Sequence, residues 1–133
     1  ADRIDRTGRI PADLLASHLS GASVVAFPSS YEGFGIPVVE AMAAGVPVLV
    51  SGGTPAADLV GGGSVVPAVA GPDRWANELE RLLVDDRHRR LLVEAGRQGA
   101  TAHTWEASAD ALERAWRLLL ATGPVAARRG SEA

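Results

Sequence analysis

The chain of 133 residues carries a formal charge of −3, is 47% hydrophobic and 22% charged, and contains no cysteine. These values exclude a disordered chain, a disulfide framework, a thiolate metal site and a thiol nucleophile, and they give no electrostatic case for nucleic acid as a partner. One domain is expected, able to bury roughly two thirds of its unfolded surface.

The lack of cysteine fits a reducing compartment. No apolar run approaches the ~20 residues of a membrane span, and no charged-then-apolar signal opens the chain. A cytoplasmic protein is expected, one able to work at the inner face of a membrane through a partner.

Ala1 to Gly8 has Ile4 as its one large apolar residue, so any strand there is short and at an edge. Pro11 then opens a helix to about Ser20, with Leu14, Leu15, His18 and Leu19 on one face. Ser23 to Phe27 is a continuous apolar run between Gly21 and Pro28, Pro47 to Val50 is another, and Ser64 to Val66 is a weaker third. Such runs suit parallel strands buried on both faces. Helical segments lie between and after them, and the alternation predicts an α/β fold with an open parallel sheet.

From Pro72 onward the pattern is helical. Trp75, Leu79, Leu82 and Leu83 fall near helical spacing, as do Leu91, Leu92 and Ala95. Thr104 suits the N-cap of a last helix carrying Ala109, Leu112, Trp116 and Leu119. The tryptophans read as packing residues, Arg87, Arg89 and Arg90 as a solvated face, and the tail beyond Thr122 as disordered.

The stretch richest in chemistry is Ser29-Ser-Tyr-Glu-Gly-Phe-Gly-Ile-Pro-Val-Val-Glu-Ala-Met-Ala-Ala-Gly45. Pro37 has the fixed φ and missing N–H that a first helical position tolerates, and Gly45 suits the left-handed position after a helix. A short helix from about Pro37 to Ala44 follows. Its leading end, at Phe34-Gly35-Ile36, collects unpaired amides and the positive end of the helix dipole, a setting that favours anions. Glu40 sits one turn inside that end, and Glu32 sits in the loop before it.

Amides can hold phosphate while carboxylates, which only accept, hold hydroxyls; a sugar nucleotide offers both. On spacing alone, the same acids read equally well as a helix-end acid and a solvated loop acid. Ser51-Gly-Gly-Thr-Pro55 leaves the second strand run at the same edge and could add amides or a hydroxyl, but it lacks the lysine and spacing of a P-loop. Gly61-Gly-Gly63 reads as a turn.

Glu32 and Glu40, seven residues apart around Gly-Phe-Gly-Ile-Pro, resemble the E-x7-E motif of retaining glycosyltransferases with the GT-B fold, most closely the "group 1" family, glycosyltransferase family 4. The likeness continues through Ser23-Val-Val-Ala-Phe-Pro-Ser29 and Glu40-Ala-Met-Ala-Ala-Gly-Val-Pro-Val-Leu-Val-Ser51, and more loosely from Gly8 to Trp116. It implies a Rossmann-like, donor-binding C-terminal domain over residues 1–121, with 122–133 a tail.

By that resemblance Glu40 accepts from ribose hydroxyls and Glu32 faces the transferred sugar as the residue nearest the chemistry. Gly33 lies in the same loop. The amides of Phe34, Gly35 and Ile36 meet sugar and diphosphate, and Gly8, Arg9 and Ile10 lie against the base. Such enzymes retain anomeric configuration and use no metal or other cofactor. The donor is a nucleoside diphosphate sugar, and the implied chemistry is front-face attack with electrostatic stabilisation of the leaving group.

Two departures stand beside the match. The family places an arginine and a lysine on the diphosphate, upstream of the segment matched here, and this chain has no lysine. After Pro55, where the family often carries an acid, it has Ala56 and Ala57, with Asp58 following. The resemblance begins near the third strand of the family's domain, so the acceptor-binding domain is expected to be missing, the chain inactive alone, and its open sheet edge prone to self-association. The alternatives are a non-catalytic nucleotide-sugar module and a structural α/β interaction domain.

Overall fold

The computed structural model describes residues 3–61 and 64–122. They fall into two compact units, one ending at Thr101 and the other starting at Ala102. The first contains α1 (Ala12–Gly21), β1 (Val25–Phe27), α2 (Ile36–Ala43), β2 (Val48–Ser51), α3 (Pro55–Leu59), β3 (Val65–Val66), α4 (Pro72–Val84) and α5 (Asp86–Ala100); the second contains α6 (Trp105–Thr122).

The sheet is parallel, in the order β1-β2-β3, with Val25 opposite Val48, Phe27 opposite Val50, and Val50 opposite Val65. All four residues of β2 are buried, as the apolar run predicts for a strand covered on both faces. Alternation along β2 divides the core in two. Val48 and Val50 pack with Val38, Ala41 and Met42 of α2, Ala56 of α3 and Ala100 of α5. Leu49 points the other way, to Val66 and Leu82, with Trp75, Leu79 and Leu92 around them. The result is helices on both faces of a parallel sheet, the α/β class expected.

The helix α2 buries Val38, Ala41 and Met42, the i, i+3, i+4 stripe of one face. It ends as its punctuation predicts. Gly45 takes φ +76°, its N–H donates to the Met42 carbonyl at 3.0 Å, and the Val46 N–H donates to the Ala41 carbonyl at 3.0 Å. This pair of bonds is the Schellman closure. Gly96 and Gly99 let α5 approach this helix closely: a β-carbon on them would lie 3.2 and 3.3 Å from the Met42 side chain.

Asp85 ends α4 and caps α5, its carboxylate accepting from the His88 N–H at 2.9 Å. Thr104 caps α6 as expected, its hydroxyl accepting from the Ala107 N–H at 3.1 Å. Residues 3–8 form no strand. The helix α1 buries none of its residues: Leu19 meets the core, but Leu14 and Leu15 are exposed. Leu83 and Leu91 are likewise exposed, and so are Trp105 and Trp116, whereas Trp75 packs as expected. Spacing predicts which residues share a face; it does not predict whether another layer covers that face. The tail expected beyond Thr122 and two glycines of the Gly61–Gly63 turn lie outside the described residues.

Candidate functional site

Because β1 and β2 run parallel, the loops after Phe27 and after Ser51 leave the sheet at the same edge, where open α/β sheets receive ligands. The first loop spans residues 28–35 and carries Glu32, Gly33, Phe34 and Gly35; the second spans 52–54 and enters α3. The predicted residues Glu32 to Ile36 therefore stand at the carboxyl edge, directly before the leading end of α2.

That end has a distinctive local construction. Gly35 is the N-cap, with φ +101° and ψ 42°, a left-handed conformation that favours glycine. Its carbonyl accepts from both the Val38 N–H at 2.9 Å and the Val39 N–H at 3.3 Å. The helix starts one residue earlier than expected, so Ile36 takes the first position and Pro37 the second. No side chain caps it. The Ile36 N–H stands ahead of the amides that fold back, and Pro37 has none.

Glu32 is half-buried, and one of its carboxylate oxygens is fully enclosed with no hydrogen-bond partner. A buried acceptor without a donor is unfavourable, and in native proteins it often marks a place where a ligand or water binds. Glu40 lies on the exposed side of α2, a turn inside the leading end. Around the loop, Tyr31 is 89% exposed, Phe34 45% and Ile36 52%, an apolar rim at the edge of the sheet.

The other predicted contributors differ. Gly8, with φ +62°, Arg9 and Ile10 lie in the irregular segment before α1. The hydroxyl of Thr54 is buried and already donates to the Ser51 carbonyl at 2.9 Å, so it closes the turn. Asp58 is exposed on α3. Ala56, which carries no chemistry, is fully buried against Gly35, and sequence reasoning had no signal for that contact. Among the described residues no three His, Asp or Glu gather into a metal cage.

The family model for glycosyl transferases group 1 matches residues 1–99. The chain is 40% identical over 105 residues to D-inositol 3-phosphate glycosyltransferase from Corynebacterium diphtheriae, covering 77% of this chain and 25% of the relative. It is 32% identical over 112 residues to O-antigen chain mannosyltransferase B from Escherichia coli, covering 84% and 29%. Its fold is similar to sucrose-phosphate synthase from Thermosynechococcus elongatus, with a TM-score of 0.81 and 34% identity over 92% of this chain and 31% of that one. The chain thus spans between a quarter and a third of the length of the proteins it matches.

Proposed function

The chain belongs to the group 1 glycosyl transferases, and from that premise we propose that its carboxyl edge holds the nucleoside diphosphate sugar of a retaining, metal-independent, family 4 transfer reaction. The observation that carries the reading is the enclosed, unpartnered oxygen of Glu32 beside a helix end that no side chain caps. One is an acceptor short of a donor; the other is the positive end of a helix dipole, with the Ile36 N–H ahead of the amides that fold back on Gly35. A glycosyl diphosphate supplies hydroxyls to the first and negative charge to the second.

On this reading the Glu32 carboxylate orients hydroxyls of the sugar being transferred, with Gly33 in the turn beside it. Glu40 accepts from the ribose. Backbone at Phe34, Gly35 and Ile36 faces sugar and diphosphate, and Gly8, Arg9 and Ile10 border the base. As the anomeric bond to the diphosphate breaks, charge develops on the leaving oxygens, which the α2 dipole stabilises. The carboxylates position the donor; neither is a covalent nucleophile. These residues supply the donor side of the reaction. The setting is the cytoplasm.

A nucleotide-sugar module without catalysis would share the same donor site. Calorimetric titration with UDP-glucose, GDP-mannose and the free diphosphates tests the first point common to both. Binding of one sugar nucleotide more tightly than its free diphosphate is expected. No heat with any of them, from a folded sample, would leave only a structural domain.

A further proposal concerns β1. Among the described residues its outer edge is unpaired, and the exposed Leu14 and Leu15 lie on the helix immediately before it. Open edges with apolar surroundings associate, so light scattering should show self-association; a monodisperse monomer would contradict this.

A further inference from the structure

We propose that Ala56 and Leu59 are positioning residues that hold the leading end of α2 in place from α3, acting through Gly35 without touching a ligand. The inference takes what is bound there from the donor reading above, but its geometry stands separately.

Gly35 governs the first turn of α2, since the Val38 and Val39 amides both fold back on its carbonyl. Yet Gly35 has no side chain with which to be anchored, and the loop before it, residues 28–34, has neither helix nor strand. Its anchor lies across the edge. A β-carbon on Gly35 would stand 3.1 Å from the Ala56 β-carbon, 3.4 Å from the Ala56 α-carbon and 3.4 Å from Leu59 Cδ1. Ala56 itself has no exposed surface and belongs to the same core cluster as Val38, Ala41 and Met42.

The anchor is rigid on its own side. Ser51 is the last residue of the fully buried strand β2, and Thr54 closes the turn after it by donating to the Ser51 carbonyl at 2.9 Å. Pro55 opens α3 immediately afterwards. A continuous line of contacts thus runs from the central strand, through a hydrogen-bonded turn, to Ala56, then Gly35, then the amides of α2. Close-packed contacts of this kind transmit small volume changes. Because Ala56 has no exposed surface and meets Gly35, two added methyl groups at position 56 press on that contact. A methyl removed leaves Gly35 free to move. Either change shifts the amides relative to Glu32, and a misplacement near 1 Å costs up to about 100-fold in a positioned site.

The test compares Ala56→Val and Ala56→Gly in the full chain. Leu82→Ala serves as a control that destabilises the core on the opposite face of the sheet. Amide hydrogen exchange at Val38 and Val39 is read by NMR, and affinity for UDP-glucose and GDP-mannose by calorimetry. Ala56→Val should speed exchange at those two amides by about tenfold more than Leu82→Ala does, after correction for global stability, a difference of about 1.4 kcal/mol in local opening. Ala56→Gly should act in the same direction, so a valine variant that fails to fold leaves the question decided. Affinity for whichever probe the parent binds should fall at least tenfold in the valine variant and be kept in Leu82→Ala. If neither probe binds the parent, the donor reading fails while the exchange data still decide the role of Ala56. Equal exchange at Val38 and Val39 in the glycine variant and the Leu82→Ala control overturns the proposal.

Discussion

Gly35 and Ala56 meet across the mouth of the sheet edge, so closely that a β-carbon on the glycine would come within 3.1 Å of the one on the alanine. Two loops that are separate in sequence are joined there, one leaving β1 and one leaving β2. The chemistry proposed for this chain sits on the first loop, and its stability comes from the second.

Gly35→Ala is therefore expected to be among the more damaging single changes. The backbone at φ +101° disfavours a side chain, by about 1–2 kcal/mol. The contact with Ala56 adds overpacking, of about 1–3 kcal/mol. Urea unfolding should show a loss of at least ~2 kcal/mol; a loss below half a kcal/mol would mean that the loop relaxes freely.

Leu82→Ala tests the other half of the core. Leu82 of α4 is buried against Leu49 of β2 and Val66 of β3, and its truncation should cost about 2–5 kcal/mol. Because the candidate site lies at the sheet edge beside α2 and α3, ligand affinity in the folded variant should be unchanged. A stability loss with a parallel loss of affinity would show that the two faces are coupled.

Asp85 provides a pH-dependent contribution at the α4–α5 junction. The hydrogen bond from the His88 N–H, together with the nearby charges of His88 and Arg81, lowers its pKa below the ordinary 3.8 despite some opposing desolvation. A carboxylate depressed in the folded state stabilises above its unfolded pKa, and that contribution disappears as pH falls through the folded value. Asp85→Ala should thus lower Tm at neutral pH, and the gap to the parent should narrow below pH ~4. A gap constant from pH 7 to pH 2 would show that the cap works without its charge.

Much of this arrangement is legible in the sequence, for identifiable reasons. Pro37 and Gly45 bracket α2 to within a residue, because a missing N–H and a left-handed backbone admit few other placements. The run Pro47 to Val50 reads as a central strand because only a strand covered on both faces lacks polar positions. The cap at Thr104 is read from its hydroxyl. The Ala56–Gly35 contact is not legible, since alanine carries neither charge nor periodicity, and its partner is fixed only when α3 packs. The exposed faces of α1 and of Leu83 and Leu91 are missed for a related reason: an amphipathic stripe says what is available for burial, and the fold decides what is buried. The enclosed oxygen of Glu32 is of the same kind, visible only once the loop has closed around it.

The most direct measurement is the affinity of Glu40→Ala for UDP-glucose and GDP-mannose by calorimetry, beside the parent and with circular dichroism confirming the fold. A hydrogen bond to a charged acceptor contributes about 1.5–3 kcal/mol. Removing it should weaken whichever sugar nucleotide the parent binds by about 10- to 100-fold, with the folded spectrum unchanged. An affinity equal to the parent's would show that this exposed acid on α2 does not hold the donor, and would contradict the assignment of the edge as its binding site.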